Sequence, residues 1–245
     1  MNNEVVGISA ELAIADAFGV YVKPEYRQRG DEEIKNSLMN CVMDAFESER
    51  LPIPIKHVAE KQSLIDFELE DGSTLSVKTN KTRLDKVAPQ RIGQPTAKTF
   101  FEFASKELQF DITETLDMLG LYDTLENRQN VFRSFSQDHI EKLLPYYWDY
   151  LFECEHFIHI YNVVDRQERP TWNPKCLVLK DRPAAPVWNR EYISFTRSVD
   201  RWRTSSSVKH HSVTIGEFEV HQNRNCLKFR FDIKGILTLM NQKII

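Results

Sequence analysis

The sequence holds no stretch approaching the roughly 18 to 20 uninterrupted apolar residues of a membrane span, and its start, MNNEVVGISAE, lacks the basic and apolar regions of a signal peptide. A cytosolic (cytoplasmic) protein without a membrane partner is expected. Cysteine is scarce: Cys41, Cys154, Cys176 and Cys226 stand without paired spacing, which predicts reduced, mostly buried thiols and no disulfides. Also missing is the large basic excess of proteins that coat nucleic acid, since the net charge is -4. No repeat or low-complexity tract occurs, and 41% hydrophobic with 28% charged residues excludes disorder and fibrous repeats. What remains is an ordinary globular chain, read as one domain over residues 1–245.

Charge is nevertheless unevenly spread. From Lys78 to Lys98 the run KTNKTRLDKVAPQRIGQPTAK holds six Lys or Arg against the single acid Asp85, and SFTRSVDRWRTSSSVKHH is biased the same way. Two such patches on an acidic body suit the grip of a charged duplex.

Apolar spacing predicts a first helix from about Ile8 to Phe18, ended by Gly19, with Glu11 inside its apolar face. A second, structural helix spans about Asp31 to Ser48, with Ile34, Leu38, Cys41, Val42, Ala45 and Phe46 at core spacing. After LPIPIKHVAE comes a two-stranded unit, SLIDFELEDGSTLSVKTN. A helix then starts near Pro95 or Thr96, and helical patterns run through about Asp111 to Phe152, with Ser136 as an N-cap and Pro145 breaking or kinking the last of them. The final third reads as strands: HFIHIYNV, KCLVLKD, EYISFTRSV, SVTIGEFEVH and NCLKFRFDI, the last two joined by a turn over 221–225. In the last strand Leu227, Phe229 and Phe231 alternate with Cys226, Lys228 and Arg230, one face buried and one basic. This order predicts an α/β or α+β fold, a mixed central β-sheet flanked by helices, with a strand-rich recognition region over about 156–245.

The hairpin register can be argued. A two-residue loop at Asp71-Gly72 pairs Asp66 with Val77 and mixes charged with apolar side chains on both faces. A three-residue loop, Glu70-Asp71-Gly72 with glycine left-handed, sets Ile65 against Val77 and Phe67 against Leu75 on one face, and Asp66 against Ser76 and Glu68 against Thr74 on the other. Lys78 then lies one step beyond the Asp66 and Ser76 pair. A carboxylate and an ammonium on neighbouring strands fit phosphodiester hydrolysis, which needs a cation on the non-bridging oxygens and a positioned water. Magnesium takes one or two carboxylates plus a carbonyl and keeps several waters, so Asp66 and the Val77 carbonyl are candidate ligands and Lys78 the group that serves the water.

Asp66 followed ten positions later by Ser76-Val77-Lys78 resembles the PD-(D/E)XK nuclease superfamily, in which an Asp at a strand end and an acid-x-Lys pair bind the metal. Ile65 stands where the family has proline and Ser76 where it has the acid. The resemblance implies that a carboxylate from elsewhere replaces the missing one, and Gly7-Ile-Ser-Ala-Glu11 matches the Gly-x-x-x-Glu helix that does so in some members. Within the superfamily the chain looks most like type II restriction endonucleases, on Ser76-Val-Lys-Thr-Asn-Lys81 and on Ile215-Gly-Glu-Phe218 through Lys228-Phe-Arg-Phe231. That implies a restriction-endonuclease-like fold, Mg2+ held by Asp66 and Glu11, a supporting hydrogen bond from Ser76 where the family usually has an acid, a homodimer on a short palindromic duplex site, and a cognate DNA methyltransferase.

Candidate DNA contacts follow from side-chain chemistry. Asn80, Gln90 and Gln94 suit adenine, Arg83 and Arg91 guanine, Lys81 and Lys98 phosphate. The segment containing Arg201, Arg203, Ser205 and Lys209 is read as a loop approaching a groove, with His210 as a phosphate contact. Cys154-Glu-His156-Phe-Ile-His159 lacks zinc-finger spacing and reads as strand. Two other readings stay open: a structure-specific repair or junction nuclease, and a DNA-binding protein of the same fold that has lost catalysis, for which the missing acid at Ser76 is the motive.

Overall fold

The computed structural model describes residues 2–59, 63–89, 92–94, 96–221 and 226–245. Two compact units emerge, one of Met1–Asp85 and Phe152–Ala184, the other of Lys86–Leu151 and Ala185–Ile245. The mixed α/β character expected from the sequence is present, but two five-stranded sheets flanked by helices, one in each unit, stand in place of one central sheet. Alternation reports which face of a strand is buried and not which strands share a sheet, so the sequence could not separate them.

The first unit opens with helix α1 (Asn3–Ala17), capped by the Asn2 side chain on the Glu4 N–H. Every residue from Ile8 to Ala15 is buried, so α1 is enclosed on all sides instead of showing one apolar face. Small residues make this possible: Ser9, Ala10, Ala13 and Ala15 let neighbours approach where a longer polar side chain would hold them off. A short helix α2 (Pro24–Arg27) and a long helix α3 (Glu32–Glu49) follow, and α1 packs on both as well as on the sheet. Asp31 caps α3 through the Ile34 N–H, and its own N–H donates to Ser9 Oγ of α1 at 2.8 Å.

Strands β1 (Pro54–His57), β2 (Phe67–Leu69) and β3 (Thr74–Thr79) form an antiparallel edge of the first sheet. Phe67 pairs with Leu75 and Glu68 with Thr74, the register of the three-residue loop, and Gly72 takes φ +85° as that turn requires. β1 was not expected from the sequence; its Pro54 heads an edge strand, where a missing N–H is tolerated. β4 (Lys86–Val87) belongs to the other sheet. β5 (His156–Tyr161) joins β3 in parallel, with Lys78 opposite His159, and β6 (Lys175–Leu179) closes the order β1-β2-β3-β5-β6. All four cysteines are free, and Cys41 Sγ on α3 lies 3.0 Å from Cys176 Sγ on β6.

In the second unit helices α4 (Ala97–Leu108), α5 (Ile112–Met118), α6 (Leu125–Asp138) and α7 (Ile140–Leu151) precede strands β7 (Ile193–Phe195), β8 (Ser205–His210), β9 (Val213–His221) and β10 (Cys226–Asp232), then α8 (Ile233–Asn241). The sheet is antiparallel in the order β4-β10-β9-β8-β7. The expected Ser136 cap and an expected break at Pro145 are corrected. Ser136 is buried within α6 and caps nothing, because the apolar run Val131, Phe132, Phe135 carries the helix on to Asp138. Pro145 sits inside α7 without ending it: the proline costs about 3 kcal/mol, while burial of Leu143, Leu144, Tyr147 and Trp148 returns about 1.5–3 kcal/mol for each large side chain.

The β10 alternation is as expected for Leu227, Phe229 and Phe231, which are buried. Its basic face is neutralised: Lys228 pairs with Glu219 at 3.0 Å and Arg230 with Glu217 at 3.1 Å, both on β9, while Lys86 also reaches Glu217 at 2.8 Å. Of the turn over 221–225, residues 222–225 lie outside the described residues.

Candidate active site

Asp66 marks the place where the β2–β3 ladder stops. Its N–H donates to the Leu75 carbonyl on β3 and its carbonyl accepts from the Val58 N–H beyond β1, both at 2.9 Å, so its two backbone groups point to opposite neighbours. A regular strand residue points both to one side. The break turns the carboxylate against β3, where Oδ2 accepts from the Val77 N–H at 2.6 Å and lies 3.4 Å from Ser76 Oγ and 3.9 Å from Lys78 Nζ. Three groups thus address one oxygen, and Oδ1 has no hydrogen-bond partner among the described residues. Because the Val77 N–H points into this gap, its carbonyl faces the same side.

Glu11, on the enclosed helix α1, repeats the arrangement. Its Oε2 accepts from Tyr26 Oη at 2.7 Å and is bonded to His57 Nε2 at 2.9 Å, while Oε1 has no partner among the described residues. Tyr26 comes from α2 and His57 from the end of β1, with their rings 4.8 Å apart edge to face. Both carboxylates are therefore held by one oxygen and open at the other. At 6% and 8% exposure Asp66 and Glu11 are buried, an expensive place for a charge without a partner.

The electrostatics report that strain. Burial drives the Asp66 carboxyl from 3.8 up to about 7; Lys78 pulls it down, the negative charge of Glu11 pushes it up, and the Val77 N–H pulls it down. Burial, then the charge and hydrogen bond of Glu11, raise the Tyr26 hydroxyl well above its usual range. His159, opposite Lys78, is lowered to about 4 by burial and by the Lys78 charge, so it stays neutral at physiological pH. Burial also lifts the Cys154 thiol to about 11, leaving it inert.

Among the described residues no three His, Cys, Asp or Glu side chains group closely enough to hold a metal ion alone. The Glu11 charge acts on Asp66, and the potential donors near it are oxygens, two carboxylates and a backbone carbonyl, the type a hard cation takes in preference to the nitrogen and sulfur of a zinc site. Ser76 is 1% exposed and supports Asp66 only through its 3.4 Å contact. Gly7, one residue of the Gly-x-x-x-Glu pattern, is not required sterically, since a Cβ there would meet Thr79 Oγ1 at an ordinary 3.7 Å.

The expected DNA contacts are divided between the two units. In the first unit Asn80 Oδ1 accepts from the Asp85 N–H, Lys81 pairs with Glu168 at 2.9 Å, and the Arg83 side chain is 81% exposed. Gln90 and Arg91 lie outside the described residues. Gln94, Lys98, Arg201, Arg203, Ser205, Lys209 and His210 belong to the second unit. Lys98, Arg201 and Arg203 are exposed there. The segment read as a loop is strand β8 from Ser205 onward, with Ser206, Val208 and His210 on its buried face and Ser205, Ser207 and Lys209 on the other. His210 is 2% exposed with both ring nitrogens sealed from solvent, so it offers nothing to a strand arriving from solution. Sequence reasoning missed Tyr26, His57 and His159: the first two sit in segments without periodicity, and the third was absorbed into an apolar strand.

No family model matches the sequence, and no solved structure matches the fold. Over 187 residues, 76% of its length, the chain is 28% identical to the type II restriction enzyme CviAII of Paramecium bursaria Chlorella virus 1, and it spans 46% of that longer protein.

Proposed function

We propose that the chain is a type II restriction endonuclease of the PD-(D/E)XK kind, hydrolysing phosphodiester bonds of double-stranded DNA with magnesium. One observation carries the reading: Glu11 and Asp66 each have one oxygen pinned and one open, with Lys78 Nζ 3.9 Å from Asp66. Similarity to a restriction enzyme over most of the chain supports it. A magnesium ion bound there would neutralise the phosphate oxygens and make a bound water acidic.

This chain's own groups do the rest. Asp66 and Glu11, with the Val77 carbonyl, would hold the cation. Lys78 orients the attacking water and meets charge as it develops on the phosphate, and its ammonium is well placed because its neighbour His159 stays neutral. Ser76 steadies the carboxylate and ligates nothing. The same reading includes a homodimer cutting both strands of a short palindromic site, each subunit one strand, and a methyltransferase that protects that site.

The test is incubation of a sequenced viral genome with the protein, with and without Mg2+, followed by sequencing of fragment ends. Discrete fragments sharing one terminal sequence, formed only with the metal, are expected. Cutting confined to branched or mismatched DNA would replace this reading by a repair nuclease. Tight duplex binding with no cleavage would mean that the fold has kept recognition alone.

A further inference from the structure

A cavity of about 580 Å³ opens in the first unit beside α2 and β1. Its inner wall is made by Tyr26 and His57, the same two side chains whose polar atoms hold Glu11 Oε2. Lys23, Arg29 and Lys56 surround it, and Glu25 is the acid among its lining residues. At its rim Tyr21 is 75% exposed and Ile55 59% exposed, large apolar groups left facing water.

Each feature has a chemical meaning. Three cations around one cavity suit an anionic ligand, and a bare tyrosine ring among them suits a base or sugar laid flat. Two ion pairs at the cavity, Lys56 with Glu68 at 2.8 Å and Arg29 with Glu4, do not oppose such a ligand, since both lie in solvent, where ion pairs are weak and readily exchanged. Arg29 also rests over the Tyr26 ring at 5.1 Å, which fixes the guanidinium beside the cavity. The volume falls within the range of about 300–1,000 Å³ typical of small-ligand sites, room for a nucleotide or two.

We infer that this cavity receives the strand of nucleic acid next to the reacting phosphodiester, its phosphates on Lys23, Arg29 and Lys56 and one base or sugar against Tyr21. The inference rests on the nuclease reading above and assigns that site a second, substrate-holding half. Because the cavity wall and the Glu11 clamp are the same side chains, the strand it holds runs directly past Glu11.

The test uses the full chain carrying Lys78→Ala, so that nothing is cut, with and without the triple change Tyr21→Ala, Lys23→Ala and Lys56→Ala. All three positions are exposed, and circular dichroism verifies that the fold is kept. Equilibrium binding of a duplex is measured across a salt series, then repeated with a neutral methylphosphonate at each phosphate flanking the cut. The triple change is expected to weaken binding about tenfold or more and to make the dependence of log affinity on log salt shallower by about 2, one for each lysine. One methylphosphonate position is expected to weaken the parent several-fold and leave the triple variant unmoved. Equal affinity and equal salt slope in both proteins would overturn the cavity and leave the nuclease reading intact. Cavity-dependent binding by a wild-type chain that never cuts would leave the cavity and overturn the nuclease. Binding of polyaspartate as tight as that of DNA would overturn the nucleic-acid assignment.

Discussion

Replacing Asp66 by Asn tests the electrostatics of the site without needing a substrate. The buried carboxyl is raised from 3.8 to about 7, mainly by loss of water. With the folded value raised, the folded chain keeps a proton that the unfolded chain has lost. The resulting stability is complete below the unfolded value and disappears as pH rises through the folded one, so metal-free protein loses stability between about pH 4 and about pH 7. A rise of about three units corresponds to on the order of 4 kcal/mol, a large part of a typical domain's stability. Asn keeps an oxygen for the Val77 N–H and carries no charge, so Asp66→Asn removes the decline. Thermal melts in a chelator are expected to show the variant about 10 °C above wild type at about pH 8, with the gap closing toward about pH 5. Magnesium at about a hundredfold over its dissociation constant returns about 2.7 kcal/mol to wild type and nothing to the variant. The same pH dependence in both proteins would refute the claim that Asp66 carries the buried charge.

Three further outcomes are expected. Lys78→Ala should lower plasmid cleavage by about a hundredfold or more while duplex binding, read by fluorescence anisotropy, stays within about threefold; unchanged cutting removes Lys78 from the chemistry. Tyr26→Phe frees Glu11 from one of two donors on Oε2, so the Mg2+ concentration for half-maximal cleavage should rise several-fold at little cost to binding, and His57→Gln, which keeps a donor, should act more mildly than His57→Ala. Asp31→Ala removes the cap of α3 and should cost about 1 kcal/mol in urea unfolding.

Local chemistry was legible in the sequence and assembly was not. The hairpin register could be read because a turn dipeptide and strict alternation act over a dozen residues, but the ladder ends at Phe67 and Leu75, and Asp66 meets Ser76 and Lys78 through a backbone break in place of the expected cross-strand pairing. Glu11 was placed inward for a reason that turned out narrower than the fact: the wheel gave α1 one buried face, and it has no exposed one along Ile8–Ala15. β8 escaped notice because its buried face is Ser206, Val208 and His210, with one apolar residue among three. β1 escaped because prolines argue against strands, and only its edge position, a tertiary fact, excuses them. Tyr26 and His57 meet over Glu11 from segments some thirty residues apart, a convergence that no local pattern records.

The confinement of α1 has a cost for any attempt to alter this protein. A ligand-bearing side chain on a surface helix can be tuned by moving that helix slightly; here Ala10, Ala13 and Ala15 leave no slack in which to shift it. A single added methyl group at one of them would overpack the surroundings of α1, the helix that carries Glu11. On the reading proposed above, residues chosen for their smallness belong to the site as much as Glu11 does, and mutational scans that score them as structural would misfile them.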